Sequence, residues 1–272
     1  MTAAATRAAA LLGERLAGAA PLQGGDLSSV MRLRLADGRT AVVKHGPRAA
    51  AEADMLRAIR RAGAPAPAVL AVEADLLVLE DLGEDAGLRG AWASLGRALR
   101  RLHAHRGDAY GWPVDHAFGA VAIPNAPLPH RPGSWPSFWA ERRLLPCLGA
   151  LPPDLARRVE ALARALPDRL PAAPPPALLH GDLWVGNVVA RGGTVRGLID
   201  PACYHGHAEV DLAILSLFGT PAQDFAGGYG TPEPGAEARR PIYQLWPALV
   251  HLRLSGAGYR GLVEGLLAEC GG

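Results

Sequence analysis

The segment LLHGDLWVGN, Leu178 to Asn187, places three polar side chains immediately after a short apolar run. They are His180, Asp182 and Asn187, and a second carboxylate, Asp200, ends the apolar run GLID further along the chain. An apolar run bounded by turn-forming residues is typical of a buried strand, whose end commonly delivers side chains to a site. A hairpin of two such strands would be framed by two carboxylates.

Together with a lysine, these residues meet the requirements of phosphoryl transfer from ATP. That reaction needs a cation against the phosphates, a metal ion that neutralises their charge, and a carboxylate that orients or deprotonates the acceptor hydroxyl. Lys44 would supply the cation, and Asn187 and Asp200 offer the hard oxygen ligands that suit Mg²⁺. Asp182 is left as the candidate base.

The surroundings of Lys44 indicate how a nucleotide would be held. Lys44 closes a predicted strand and Glu52 lies in the next predicted helix, so an ion pair between them would hold the lysine against the phosphates. Upstream, Gly24 and Gly25 lie in the segment QGGDLSSV. Glycines there would let backbone amides approach the phosphates, although such a loop is weak support by itself.

The elements that must position these residues follow from the apolar patterns and the turn formers. In the first part of the chain we expect a helix within residues 1–20, a hairpin with strands at 30–35 and 40–44, a helix at 47–62, and two strands around the turn at 73–75. Further on we expect helices near 92–103, 137–148, 156–166 and 209–218, and strands flanking the polar loop and the RGG turn. We also expect a closing helix that is interrupted or kinked at Pro247. The strand-rich residues 1–82 would form one domain, and the mainly helical residues 83–272 another.

The amino-acid composition indicates which kinds of binding partner to expect. The 272 residues are 49% hydrophobic and 20% charged, which is sufficient for a substantial core. The net charge of +2 comes from interspersed acidic and basic residues, so we expect neither nucleic acid nor a membrane surface as partner. Glu14 and Arg15 interrupt the N-terminal segment before the apolar core of a targeting peptide develops. A small-molecule ligand is the expected partner.

The cysteines predict a reducing, cytoplasmic location. Cys147, Cys203 and Cys270 are odd in number, far apart and without CxxC spacing, which indicates neither a disulfide framework nor a Cys-based zinc site. Cys203 is expected to be a small buried hydrophobe rather than a nucleophile.

The remaining polar clusters have structural interpretations. His180, His205 and His207 could suggest a metal site, but there is no HExxH pair, so we expect His180 to be a buried, hydrogen-bonded packing residue. The helix around WPSFWAERRL is expected to pack through its aromatic side chains and to expose its charged ones, Glu141, Arg142 and Arg143.

The order of these motifs resembles the fructosamine kinase (ketosamine-3-kinase) family of kinase-like small-molecule phosphotransferases. The Gly loop, Lys44, Glu52, VLEDL, HGDLWVGN, IDPA and EVDLA follow one another, and IPNAP and WPSFWAERRLLP are more specific marks. The resemblance extends from about Pro21 to about Tyr259. It implies an α+β, two-lobed protein-kinase-like fold, with a small N-terminal lobe containing an antiparallel sheet and one main helix, and a larger, mostly helical C-terminal lobe.

The resemblance also implies roles for individual residues. Asp182 would be the catalytic base, magnesium would be held by Asn187 and Asp200, and the ATP phosphates would be contacted by Lys44 paired with Glu52. Backbone groups where the lobes join would meet the adenine, in the segment Glu80, Asp81 and Leu82. Trp184 would line the sugar-amine site, and Asp211 would brace the catalytic loop.

The implied reaction is transfer of the γ-phosphate of ATP, with Mg²⁺, to the sugar 3-hydroxyl of a free or protein-bound ketosamine such as a fructosamine or ribulosamine. Two alternatives remain: a phosphotransferase acting on an aminoglycoside, a choline-like compound or another small hydroxyl compound, and a nucleotide-binding sensor without catalysis. The chain departs from the family pattern at Asp26, which lies in the Gly loop. It also departs at His205, Ala208 and Val250, and these three residues fall in segments that could shape acceptor choice.

Overall fold

The computed structural model describes residues 2–22 and 29–271, so Gly24, Gly25 and Asp26 lie outside the described residues. The chain begins with helix α1 (Thr2–Leu11) and continues into strand β1 (Leu16–Pro21). The prediction of a helix within residues 1–20 is therefore confirmed for its first half and wrong for its second. The sequence LAGAAP lacks the β-branched and aromatic residues that mark a strand, and only its pairing with the next strand makes it one.

Four further strands complete an antiparallel sheet in the order β1-β2-β3-β5-β4: β2 (Ser29–Leu35), β3 (Thr40–His45), β4 (Val69–Glu73) and β5 (Leu76–Glu80). Both predicted hairpins are confirmed. Helix α2 (Ala49–Arg61) covers the sheet face that carries Leu77 and Leu79, and α1 covers the face that carries Val43 and Val78. Because successive side chains of a strand point to opposite faces, Lys44 projects toward α2.

The second part of the chain is mainly helical, as predicted. Its α-helices are α3 (Trp92–Ala104), α4 (Trp135–Trp139), α5 (Pro153–Arg169), α6 (Glu209–Leu215), α7 (Asp224–Tyr229), α8 (Ala236–Ser255) and α9 (Arg260–Glu269). Three two-stranded ribbons accompany them: β6 (His116–Phe118) with β7 (Val121–Ile123), β9 (Val188–Arg191) with β10 (Thr194–Leu198), and β8 (Ala177–Leu179) with β11 (Tyr204–Gly206). The predicted α+β class is confirmed.

One helical segment is less regular than expected. After α4 the chain forms a π-helical turn, Ala140–Leu144, and then a 3₁₀ turn, Leu145–Ala150. The prediction that Arg143 lies on a solvated face is wrong, because its side chain is 1% exposed and its Nη2 donates to Asn125 Oδ1 at 2.8 Å. Its guanidinium lies 4.1 Å from the centre of the Tyr204 ring. The wider π turn shifts the helical register, which accounts for the inward direction of Arg143.

Within the described residues, no helix combines the length and the apolar character needed to cross a bilayer.

Candidate active site

Asp182 lies on a loop that turns sharply out of β8. Gly181 has φ +80°, and a Cβ atom built on it would lie 2.1 Å from the carbonyl oxygen of Ala202. Only glycine tolerates both the left-handed backbone and this close approach. The HGD sequence therefore takes the chain from the buried end of β8 to a carboxylate within three residues.

Asp211 in α6 fixes the backbone of this loop through hydrogen bonds. Its Oδ2 accepts a hydrogen bond from the backbone N–H of His180 at 2.7 Å, and its Oδ1 accepts one from Gly181 at 2.9 Å. His103 Nε2 lies 3.1 Å from Oδ2. Burial alone would raise the pKa of Asp211, but the hydrogen bond from His103 and the neighbouring donors lower it. The loop is thus tied to a buried charged carboxylate.

Asp182 and Asn187 contact each other across the loop. Asn187 Nδ2 donates to the backbone oxygen of Asp182 at 2.8 Å and to its Oδ2 at 3.2 Å. Burial raises the pKa of Asp182 to about 7, against the opposing effect of the Asn187 hydrogen bond and with a contribution from the Asp200 charge. A carboxylate with a pKa near neutrality is suited to exchange protons.

Asp200 follows β10 and reaches the same place. The N–H of Ile199 donates to the Asn187 backbone oxygen at 3.0 Å, which keeps the start of this turn beside Asn187. His180 is fully buried, and its Nε2 donates to the Ile199 oxygen at 2.9 Å, as expected for a packing residue. Asp200 itself has φ +53°, a conformation uncommon for a residue with a side chain and characteristic of functional turns.

Lys44 connects the two parts of the chain. Its Nζ donates to Glu52 Oε1 at 2.6 Å and also bonds Asp200 Oδ1. Burial disfavours the charged lysine, but the charges of Glu52 and Asp200 outweigh that effect and raise the pKa of Lys44. Burial raises the pKa of Glu52, which Lys44 partly offsets. A single ammonium group therefore links the sheet-bearing part to the turn after β10.

The segment that joins the two parts is only partly open to a nucleotide. The N–H of Glu80 donates to the Ala68 oxygen at 2.9 Å, so this group is already used within the first part. Asp81 Oδ2 pairs with Arg32 Nε at 2.9 Å. The side chain of Leu82 packs against Gly197, where a Cβ atom would lie 2.5 Å from Leu82 Cδ1. Adenine contacts would thus fall to backbone groups of this segment other than the Glu80 N–H.

Trp184 stands at the open side of the loop. Its side chain is 41% exposed, and its ring lies over Gly186, where a Cβ atom would come within 2.3 Å of it. An exposed indole next to Asp182 offers a flat face to a ligand.

The prediction missed the residues that support Asp211. His103 is buried in the last turn of α3, and its Nδ1 lies 2.8 Å from Tyr229 Oη of α7. Neither residue belongs to a motif, and they are distant in sequence from Asp211, so only the packing of α3 and α7 reveals their part.

The chain is similar to known proteins over nearly its whole length. The profile of the family described as fructosamine kinase matches residues 2–270. A Thermus thermophilus protein named as a ketoamine kinase is 38% identical over 89% of this chain and 90% of its own length. A crystal structure described as that of a fructosamine-3-kinase from Thermobifida fusca has a TM-score of 0.89 at 33% identity and covers 99% of both chains.

A more distant likeness concerns the fold alone. An aminoglycoside phosphotransferase, APH(4)-Ia, in complex with ADP and hygromycin B has a TM-score of 0.69 at 16% identity, over 95% of this chain and 96% of its own. The fold is therefore the two-lobed, kinase-like fold of small-molecule phosphotransferases, and the family profile, which spans nearly the whole sequence, establishes that the chain belongs to the fructosamine kinase family.

Proposed function

We propose that this chain transfers the γ-phosphate of ATP to a sugar hydroxyl of a ketosamine, such as a fructosamine or ribulosamine, at its 3-hydroxyl. The observation that carries the proposal is the convergence of Asp182, Asn187, Asp200 and the Lys44–Glu52 pair where β8 and β10 end. Family membership supports the same reaction.

Asp182 would act as the general base. Its Oδ2 is held by Asn187, so Oδ1 would receive the proton of the acceptor hydroxyl as the phosphoryl group is transferred. Proton transfer by a positioned carboxylate contributes roughly 100-fold to 10,000-fold to a rate. Asp211 would keep this carboxylate in place through the backbone of His180 and Gly181.

Asn187 and Asp200 fit a magnesium site. The hydrogen bonds of the Asn187 side chain use its nitrogen, which leaves the lone pairs of the amide oxygen available to a metal ion. The Asp200 carboxylate already accommodates a positive charge, that of Lys44. When bound with ATP, Mg²⁺ would neutralise phosphate charge. Lys44, positioned by Glu52, would contact the phosphates, and Gly24 and Gly25 would cover them.

The acceptor would lie against Trp184, whose indole can stack on a sugar face. A free or protein-bound ketosamine is compatible with a partly exposed Trp184. We also propose that the boundary between the two lobes lies between residues 82 and 83. The protein would be cytoplasmic, which its three free cysteines support.

The test is ADP release from ATP and Mg²⁺ with and without a fructosamine or a ribulosamine, using Asp182→Asn as the inactive variant. We expect ketosamine-dependent turnover that falls roughly 100-fold or more in Asp182→Asn with nucleotide binding largely intact. Asp168→Asn, at an exposed carboxylate of α5, is the matched control and should behave as the unmodified chain. Near-normal turnover by Asp182→Asn would remove Asp182 as the base.

The same assay separates the alternatives. Turnover with an aminoglycoside or a choline-like compound, but not with ketosamines, would keep the reaction and change the acceptor. Nucleotide binding without turnover on any acceptor would favour a sensor.

A further inference from the structure

One histidine and two glutamates meet outside the catalytic loop. His207 follows β11, Glu209 begins α6, and Glu233 lies in the connection between α7 and α8. One nitrogen or oxygen atom from each side chain lies within 4.8 Å of the others. His207 and Glu209 are buried, whereas the Glu233 side chain is 66% exposed. Only the fold brings Glu233 to this pair.

His207 is the group that indicates a ligand. Its side chain is 3% exposed, and within the described part of the chain its Nε2 has no hydrogen-bond partner. The Glu233 Oε2 atom lies 3.7 Å from Nε2, beyond normal hydrogen-bond length. Buried polar atoms are nearly always satisfied.

The other ring nitrogen already has the partner that a metal-binding histidine needs. Nδ1 lies 2.8 Å from Tyr243 Oη, which also accepts a hydrogen bond from Trp135 Nε1 at 3.0 Å. Histidine ligands almost always donate their second N–H to an oxygen, which fixes the ring orientation. In the tautomer that carries its proton on Nδ1, His207 donates to Tyr243 and the lone pair of Nε2 faces Glu233. Glu209 Oε2 lies 3.8 Å from Nδ1.

The two carboxylates supply the charge. Arg239 donates to both oxygens of Glu209, at 2.6 and 2.7 Å, and leaves each oxygen a second lone pair. The arginine neutralises one of the two glutamates, so the cluster retains one negative charge that a divalent ion would offset. Metal ligands about 2.0 to 2.2 Å from a tetrahedral centre lie roughly 3.3 to 3.6 Å apart. Glu233 Oε2 lies 3.7 Å from Nε2, so this exposed side chain needs to move only slightly, and the three groups together would contract from a spacing of at most 4.8 Å when they bind the ion.

We propose that His207, Glu209 and Glu233 bind a divalent transition-metal ion, with Zn²⁺ as the best match. One imidazole and two carboxylates are a nitrogen and oxygen set that suits zinc, whereas Mg²⁺ prefers oxygen ligands alone. The ion would fasten the connection before α8 to the first turn of α6. Since α6 carries Asp211, the site would stabilise the support of the catalytic loop without touching the substrate.

The test is Zn²⁺ titration of the chelator-treated, full-length protein by calorimetry, repeated with Glu233→Gln. We expect one Zn²⁺ site whose affinity falls at least tenfold in Glu233→Gln, and a Tm that rises by roughly 5 °C at a hundredfold excess over Kd. Glu237→Gln, at a side chain 82% exposed in the first turn of α8, is the matched control and should bind Zn²⁺ as the unmodified chain does. Excess Mg²⁺ should not displace the ion.

A second measurement guards against binding elsewhere. Co²⁺ bound through an imidazole should give visible d–d absorption that is lost in Glu233→Gln and in His207→Gln. Because Glu233 is exposed, its variant should fold even if the His207 variant does not. Absence of Zn²⁺ binding, or equal affinity in Glu233→Gln and the unmodified chain, would overturn the proposal and leave the cluster as a water-bridged pair. Neither result depends on kinase activity.

Discussion

Lys44 is the residue on which both lobes converge. Its ammonium group bonds both Glu52 of α2 and Asp200, which follows β10. When a nucleotide binds, its phosphates and the metal ion would compete for Lys44 and Asp200, whereas Glu52 would remain as the lysine's partner. On the proposed function, Glu52 would therefore position Lys44 both with and without nucleotide.

We predict that Glu52→Gln lowers kcat/KM for ATP by about 10-fold to 100-fold, because a largely buried, charge-assisted hydrogen bond contributes about 1.5 to 3 kcal/mol. Steady-state kinetics with varied ATP measure the effect. The control is Asp54→Asn in the same helix, whose side chain is 70% exposed and pairs with Arg57 at 3.2 Å. Equal kinetics for the two variants would show that the ion pair does not position Lys44.

At the level of elements, glycines allow helices α3 and α7 to pack closely together, and this packing supports Asp211 although neither helix carries a predicted site residue. Where α3 crosses α7, a Cβ atom on Gly228 would lie 2.1 Å from the Ala93 oxygen, and one on Gly96 would lie 2.5 Å from the Phe225 oxygen. The backbones are thus in direct contact, which brings Tyr229 of α7 within 2.8 Å of His103. His103 in turn contacts Asp211.

Gly228→Ala should destabilise the fold by about 1 to 3 kcal/mol, because the added methyl group collides with rigid backbone. Its neighbour Gly227 is the matched control, since a Cβ atom there has nothing within 4 Å, and alanine favours a helix by up to about 1 kcal/mol over glycine. Urea unfolding of both variants measures the difference. A stability loss of the same size in Gly227→Ala would point to a general effect on α7 rather than to the crossing.

Elements with strong local patterns were predictable and those made by tertiary contacts were not. Strands β2 to β5 contain alternating or continuous apolar residues, and α2 carries a clear apolar face. The spacing of the apolar residues and the flanking turn formers therefore identify these elements from the sequence. Strand β1 reads LAGAAP, and β11 is only three residues long, so each exists because a partner strand is present. Likewise, HGD and IDP indicated Asp182 and Asp200, but no local pattern indicates that Arg143 turns inward or that His103 supports Asp211.

At the scale of the whole molecule, the distribution of amines is unusual. Lys44 is the only lysine among 28 basic side chains, and it is 9% exposed and doubly ion-paired. Reagents that attack amines therefore have one side-chain target, which lies at the proposed nucleotide site.

When the protein is treated with an acetylating reagent, activity should be lost at the rate at which Lys44 is acetylated. MgATP should slow the acetylation of Lys44 but not that of the α-amino group. Peptide mass spectrometry follows both amines, and ADP release in parallel follows activity. The α-amino group is the internal control. Activity lost at the rate of α-amino modification, or Lys44 acetylated at the same rate with MgATP present, would contradict a phosphate contact by Lys44.

Buried ionisable groups couple the stability of the whole fold to pH. Burial lowers the pKa of His116 to about 4, with a further contribution from Arg48 and Arg143, and burial also lowers the pKa values of His180 and His205. Below pH 6.5 the unfolded chain therefore binds protons at these positions that the folded chain does not. Stability attributable to them is complete above pH 6.5 and is lost as the pH falls toward the folded pKa values.

Two carboxyl groups act in the opposite direction. Burial raises the pKa of Asp182 to about 7 and also raises that of Glu52. Between about pH 4 and 7 the folded chain binds these protons more tightly than the unfolded chain, so this contribution is lost as the pH rises. The histidines outnumber the carboxyl groups, and the net free energy of unfolding should fall on acidification from pH 6.5 to 4.5.

His116→Gln isolates one histidine contribution. The variant should lose less stability than the unmodified chain between pH 6.5 and 4.5, with a slope flatter by up to about 1.4 kcal/mol per pH unit, the value for one proton. His130→Gln, at a side chain that is 59% exposed, is the control for the general effect of replacing a histidine by glutamine. Urea unfolding at several pH values gives the slopes. Parallel curves for His116→Gln and the unmodified chain would mean that His116 titrates alike in the folded and unfolded states, and that the β6–β7 hairpin admits its proton without cost.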